Sequence, residues 1–259
     1  LNDTLIIVVF KKRLEGVFSM MVINDFKGWS KSSYGLLALG IIMQAVILVT
    51  AGDYSPMTLI TTLGAVLGVT CVLMISNRKA SNGIFGIISA VIIIVNAIIN
   101  KVYADALLQF AYIFVLDIPV LVAWTKHEDD TGSAEVSKPL QGFLQWAYAI
   151  GGMVLIWVVS YFILKQFGDT QPVMDALGFS IGMIASILCV RRIKTQFIFW
   201  FVQGVVSMIL WIRASMIAGN GLLSPLGFMY VIYMLNDLVG WITWTRAEHK
   251  ENVAAQAVD

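Results

Sequence analysis

Eight apolar runs, each bounded by charged or turn-forming residues, divide this chain, and each is long enough for a helix to cross a bilayer. They cover residues 34–51, 57–76, 82–100, 104–125, 140–164, 174–190, 196–212 and 221–245. A hydrocarbon core of about 30 Å takes about 20 residues at about 1.5 Å rise each, so eight spans and short loops use up nearly all of the 259 residues. Composition agrees, with 59% hydrophobic and 13% charged residues, where an ordinary soluble domain has about 25% charged. So few charges cannot cover a water-facing surface, which excludes a soluble enzyme. Cys71 and Cys189 lie within apolar runs without metal or redox spacing and read as small core residues. The stretch 5–10 is short and precedes Lys11, Lys12 and Arg13, the reverse of the charge order in a cleavable signal peptide. Phe26, Trp29 and Tyr34, in a basic and partly amphipathic lead-in, suit the membrane interface.

The loops sort by charge. Under strict alternation, Lys11, Lys12, Arg13, Lys27, Lys31, Arg78, Lys79, Lys126, Lys138, Arg191, Arg192, Lys194, Arg246 and Lys250 fall on the side of the N-terminus. Only Lys101, Lys165 and Arg213 fall on the other. A split of fourteen to three predicts a multi-pass plasma-membrane protein with both termini in the cytoplasm, because basic loops stay inside.

The spans also repeat. A shift of 114 residues places Leu63-Gly64 on Leu177-Gly178, Gly68 on Gly182, Arg78 on Arg192, Asn82 on Gln196 and Phe85 on Phe199. After a six-residue insertion near Asn220, a shift of 120 places Asp117 on Asp237, Trp124 on Trp244, Thr125 on Thr245, Lys126 on Arg246 and Glu128 on Glu248. Equivalent helices are four spans apart, so both triplets run the same way through the membrane, as in SWEET-type transporters. The expected fold is an all-α transmembrane bundle of one extra helix followed by a 3+1+3 parallel repeat. Its divisions are an N-terminal segment (1–33), the extra helix and its loop (34–56), a first triplet (57–125), a loop and linking helix (126–173), a second triplet (174–245) and a tail (246–259).

Polar residues inside hydrocarbon are costly and mark pathways or helix contacts. In the triplets they are Ser89, Asn96, Gln109, Tyr112, Asp117, Gln203, Ser207, Tyr230, Tyr233, Asn236 and Asp237, with Trp200 and Trp211 as large aromatics. Gln109, Tyr112 and Asp117 share nearly one helix face, and Met229 replaces Gln109 in the second copy, so a site between the triplets would be asymmetric. Phe197, Trp200 and Gln203 put two flat rings and an amide on another face, suited to stacking an aromatic ligand and reading its edge. Asp117 and Asp237 offer a hydroxyl acceptor or a proton carrier, beside a plainer role in pinning neighbouring helices.

Several chemistries drop out. Gly178-x-Ser180-x-Gly182 matches the serine-hydrolase pattern but lies within a span, and His127 and His249 belong to loops. The repeat reads these glycines, with Gly64 and Gly68, as close-packing small-x-x-x-small faces. No lysine is placed for a retinal Schiff base, and no phosphate-binding loop is present. No catalytic residue, metal or cofactor is expected.

At Asn82-Gly83-Ile84-Phe85-Gly86, Ala106-Leu107-Leu108-Gln109 leading to Trp124, residues 196–207 and residues 236–244, the chain resembles the PnuC family of vitamin-precursor transporters. The resemblance implies the 3+1+3 fold and facilitated uptake of nicotinamide riboside, trapped inside by phosphorylation; relatives carry deoxynucleosides, thiamine or riboflavin. The riboside branch carries W-x-x-W-x-x-x-N in the helix lining its site. Here Phe197, Trp200 and Gly204 hold those places, with Gln203 as a neighbouring amide, and Ser89 and Asp117 stand where some members have Asn. The expected substrate contacts are Trp200, Phe197, Gln203, Gln109, Tyr112, Asp117, Ser89, Ser207 and Asp237. The expected partners are a nucleoside-like small molecule and the lipid bilayer, not nucleic acid, and a homo-oligomer is compatible with the sequence. A proton-coupled symporter using Asp117 or Asp237 is the alternative mechanism.

Overall fold

The computed structural model describes residues 21–99, 103–169, 171–217 and 225–256. Lys11, Lys12, Arg13, Lys101 and Asn220, and the side chains of Trp211 and Met229, lie outside what it describes. Among the described residues there are eight long helices: α1 (Lys31–Ala51), α2 (Pro56–Ser76), α3 (Asn82–Ile99), α4, α5 (Gly142–Gln166), α6 (Pro172–Val190), α7 (Gln196–Ile217) and α8 (Pro225–Gln256). The α4 rod consists of Tyr103–Tyr112, a π-helical turn at Ile113–Asp117 and Ile118–Thr125. Among the described residues, strand-type pairing is confined to the isolated bridges Glu128 to Ala134 and Ser137 to Ile193. The all-α expectation holds, and α1, α2, α5, α6 and residues 106–125 of α4 are long and apolar enough to cross a membrane. Helices α3 and α7 carry shorter apolar stretches, Asn82–Asn96 and Gln196–Ile209.

Local chemistry sets the helix ends. Ser30 accepts from the Ser33 N–H to start α1, and Gly52, at φ 66°, ends it. Ser55 accepts from Thr58, and Pro56 takes the first turn of α2, where its missing N–H would have had no helical partner. The π turn follows from Pro119, which can neither donate to the carbonyl four residues back nor sit close to it. The helix widens there instead, and the Ile118 N–H reaches the Ile113 carbonyl, five residues away.

The two triplets, α2–α4 and α6–α8, meet along two equivalent seams, α2 on α8 and α6 on α4. The linking helix α5 packs on α6, and the extra helix α1 packs on α2, the repeat-equivalent of α6. The first helix thus stands to the first triplet as the linking helix stands to the second. Exposed Ile42, Val49, Leu155 and Phe162 leave the outside of the bundle apolar, as a lipid-facing surface requires. The aromatic lead-in folds inward at its tryptophan: Trp29 is buried, stacks on Phe26 and Tyr34 at 5.3 and 5.6 Å, and donates to the Asp25 carbonyl. The Asp25 carboxylate accepts from the Ser81 N–H and hydroxyl, capping the start of α3.

Repeat symmetry is sharpest at the end of the bundle that holds residues 77–81, 126–141 and 191–195, the basic end. Both α2 and α6 stop in an arginine at positive φ, Arg78 at 60° and Arg192 at 59°. Lys79 N–H bonds to Met74 O and Arg78 N–H to Ile75 O; Ile193 to Leu188 and Arg192 to Cys189 repeat the pair. This is the Schellman closure, normally given to glycine. A left-handed arginine costs about 1–2 kcal/mol, and both copies retain it. Beneath these turns, Trp124 and Trp244 are fully buried with ring centroids 5.6 Å apart. Each indole donates across the seam, Trp124 to the Cys189 carbonyl and Trp244 to the Ile75 carbonyl, both at 3.0 Å.

Candidate functional site

Moving from the basic end toward mid-membrane, the symmetry breaks. In the first triplet α3 contributes Gly83 and Gly86, and α4 fills the space: a Cβ on Gly83 would strike the Asp117 carbonyl, and one on Gly86 its carboxylate. In the second triplet the shift of 114 puts Phe197 and Trp200 at those places. The bulk now comes from α7, and the accommodating glycine, Gly240, lies on α8 against the Phe197 ring.

The polar residues singled out in the sequence separate into two groups. Gln203 Nε2 donates to the Tyr112 hydroxyl at 3.4 Å, a bridge from α7 to α4 across the halves, and the Tyr112 ring meets Phe179 edge-on at 6.2 Å. Both polar groups press on Gly182, where a Cβ would collide with them. Trp200 lies one turn before Gln203; it packs between two core clusters and its indole N–H is buried without a hydrogen-bond partner. A buried orphan donor costs about 1–3 kcal/mol, which makes it a ready partner for an acceptor on a ligand. Ser207, a further turn along α7, lies opposite Gly178.

The second group serves helix packing in this conformation. Ser89, the repeat-equivalent of Gln203, is buried and donates to the Gly64 carbonyl at 2.8 Å, fixing α3 on α2. Phe197 is 2% exposed and lies edge-on to Trp244 at 5.5 Å, so its ring belongs to the tryptophan cluster rather than to a stacking slot beside Trp200. Asp117 and Asp237 are buried, the first against the glycine face of α3 and the second beside Asn236. Gln109 is half-buried on the same helix as Tyr112. The glycine faces act as expected: Gly64 against Ile92, Gly68 against Ser89, and Gly182 against Tyr112 and Gln203.

Several working residues stand outside the expected substrate contacts. Ser76 donates to Asn236 Oδ1 at 2.8 Å, and Asn236 Nδ2 to the Val72 carbonyl at 3.1 Å, tying α2 to α8. Gln196, fully buried at the start of α7, leaves both amide atoms without partners. Its shifted match to Asn82 was a usable signal. Phe179, hidden in an apolar run, offered none.

At the basic end, residues 126–141 bond to both triplets. Ala134 N–H donates to Arg78 O at 2.8 Å and Ser137 N–H to Arg192 O at 2.9 Å. The Arg78 guanidinium donates to Ala134 O at 2.8 Å and pairs with Glu251 at 3.0 Å and Asp129 at 3.4 Å. Burial raises the Glu251 carboxyl above the usual range, while the Val136 N–H and Arg78 pull it back.

Comparison with known proteins identifies the family of the chain. The nicotinamide mononucleotide transporter family profile matches residues 58–246. A protein named nicotinamide riboside transporter PnuC from Neisseria mucosa is 27% identical over 92% of this chain and 91% of its own. One of the same name from Haemophilus influenzae is 25% identical over 87% of this chain and 94% of its own. The structure titled as the crystal structure of the vitamin B3 transporter PnuC superposes with a TM-score of 0.73 at 24% identity, covering 89% of this chain and 98% of that one, and shows the same fold. With a match over most of its length and a bundle built on two tied triplets, the chain belongs to the nicotinamide mononucleotide transporter family, whose members are membrane transporters and not enzymes.

Proposed function

We propose that this protein carries nicotinamide riboside, or a close nucleoside-like relative, down its gradient through the plasma membrane, with the basic end and both termini in the cytoplasm. The observation that carries this reading is the Gln203 to Tyr112 bridge between the halves beside an orphan indole N–H on Trp200. A ring attached to a sugar satisfies all three groups at once: Trp200 stacks the base and donates from its edge, and Gln203 and Tyr112 exchange their mutual bond for bonds to the substrate. Gln109 and Ser207 lie on the same two helices and supply the sugar contacts. Ser89, Phe197, Asp117 and Asp237 join the site only when the halves move. Rocking of one triplet against the other exposes the site to each side in turn.

The test is a calorimetric binding panel of purified protein against nicotinamide riboside, thymidine, thiamine and riboflavin, with counterflow in liposomes. Riboside binding that Trp200→Ala reduces at least tenfold, in a variant that melts like wild type, supports the reading. Riboside binding unaffected by that change sinks the site, and preference for thymidine transfers the protein to deoxynucleosides. Two buried membrane carboxylates, Asp117 and Asp237, favour proton coupling as a second reading, which flux indifferent to an imposed pH gradient eliminates.

A further inference from the structure

We propose that residues 126–141 form a strap that latches the two triplets together at the basic end and must release before that end can open. The inference rests on the transport reading for its purpose and on bond geometry for its existence. Bonds between the halves are unevenly distributed. Trp124 to Cys189, Trp244 to Ile75, and the Ser76, Asn236 and Val72 set all lie in the half of the bundle nearest the basic end. Farther in, Gln203 to Tyr112 is the inter-half side-chain bond among the described residues. The molecule is therefore tied on one side, and the strap lies over the tie.

Its attachment is double. On the first triplet, the Arg78 carbonyl and guanidinium both hold Ala134, and Lys79, itself buried, donates to the carbonyls of Thr131 and Gly132 at 3.3 and 3.0 Å. On the second, three residues along, the Arg192 carbonyl takes the Ser137 N–H and its guanidinium the Ser137 hydroxyl at 3.3 Å. Between these points the Val136 N–H donates to Glu251 Oε2 at 3.0 Å, while Glu251 Oε1 receives Arg78. Glu251 thus joins the first triplet, the strap and the last helix through one carboxylate. One turn earlier on α8, Glu248 pairs with Lys194, which lies over the Trp241 ring at 5.3 Å. The positive φ at each arginine aims its carbonyl at the strap, which gives the retained strain a use. Segments that bond both moving bodies are natural switches, because their bonds exist in one arrangement of the bodies and not in the other.

The chain's two cysteines report opening without an added probe. Cys71 and Cys189 are buried in the tryptophan cluster under the strap. In full-length protein, Glu251→Ala should increase the rate of maleimide labelling of Cys189 at least fivefold. It should also speed amide exchange across 131–139 about tenfold, at an unchanged melting temperature, while Lys250→Ala changes neither. Wild-type labelling in Glu251→Ala overturns the latch. Should that variant fail to fold, wild-type protein carries the test: raising salt from about 0.05 to 1 M screens the ion pairs, and strap exchange and Cys189 labelling should rise together. Strap exchange that rises without labelling refutes the proposal. Neither readout involves substrate, so absence of riboside flux leaves this result intact, and a failed latch leaves the transport reading intact.

Discussion

The two triplets share one scaffold and fill it in opposite ways. In the first, the middle helix is bared to glycine at Gly83 and Gly86 and the third helix supplies Asp117; in the second, the middle helix supplies Phe197 and Trp200 and the third is bared at Gly240. The third helices differ too, since α4 is widened by a π turn before Pro119, whereas α8, with Val239 at that place, runs as an unbroken α-helix. Symmetry survives where the halves are tied to each other, at the paired arginines and tryptophans. It is lost at mid-membrane, around the site proposed above for an asymmetric organic molecule. A duplicated chain can keep one closing device twice while it divides the work of binding between its copies.

The largest test of this contrast is at the symmetric pair. Trp124→Ala and Trp244→Ala should each cost about 3–5 kcal/mol and lower the melting temperature in detergent by similar amounts. A loss confined to one of the two would break the symmetry. A smaller effect is expected where the halves differ: Pro119→Ala lets α4 regularise, turning Tyr112 away from Gln203. Riboside affinity should fall about tenfold while stability holds or rises, whereas Val239→Ala in α8 should leave affinity unchanged; calorimetry and melting curves separate the two. Smallest is Ser76→Ala, which removes one seam bond to Asn236. It should cost about 1 kcal/mol, seen as a shift of a few degrees, and no shift would show that the seam does not depend on that bond.

Much of the architecture could be read before any coordinates. The apolar runs end where α1, α2, α4 and α6 end, at Ala51, Ser76, Thr125 and Val190, because a helix in lipid stops where it meets water and charge. The repeat could be read from polar residues that kept their spacing. The site was less legible, since a polar side chain in a span looks the same whether it faces a ligand or a neighbouring backbone. Ser89 reads as a substrate contact by its type and place, and in this conformation it donates to Gly64 O. Phe197 occupies the place of a stacking tryptophan yet packs on Trp244. Left-handed Arg78 and Arg192 carried no local signal, for a helix stop of this kind announces itself through glycine. The place of α1 on α2 was hidden as well, because packing partners of apolar helices leave almost no trace in their composition.

The crossed tryptophan bonds also bear on how the protein is made. Trp124 finds its acceptor 65 residues later, at Cys189, and the Ile75 carbonyl waits 169 residues for Trp244. At a synthesis rate of roughly 5–20 residues per second, those delays amount to about 3–13 s and about 8–34 s. The Ile75 carbonyl meanwhile accepts from the Arg78 N–H, so the group left waiting in the newborn first half is the Trp124 indole N–H, whose acceptor has not yet left the ribosome. The first four helices therefore do not complete themselves in the bilayer, and whatever shelters them during insertion must hold them until the second triplet begins to arrive.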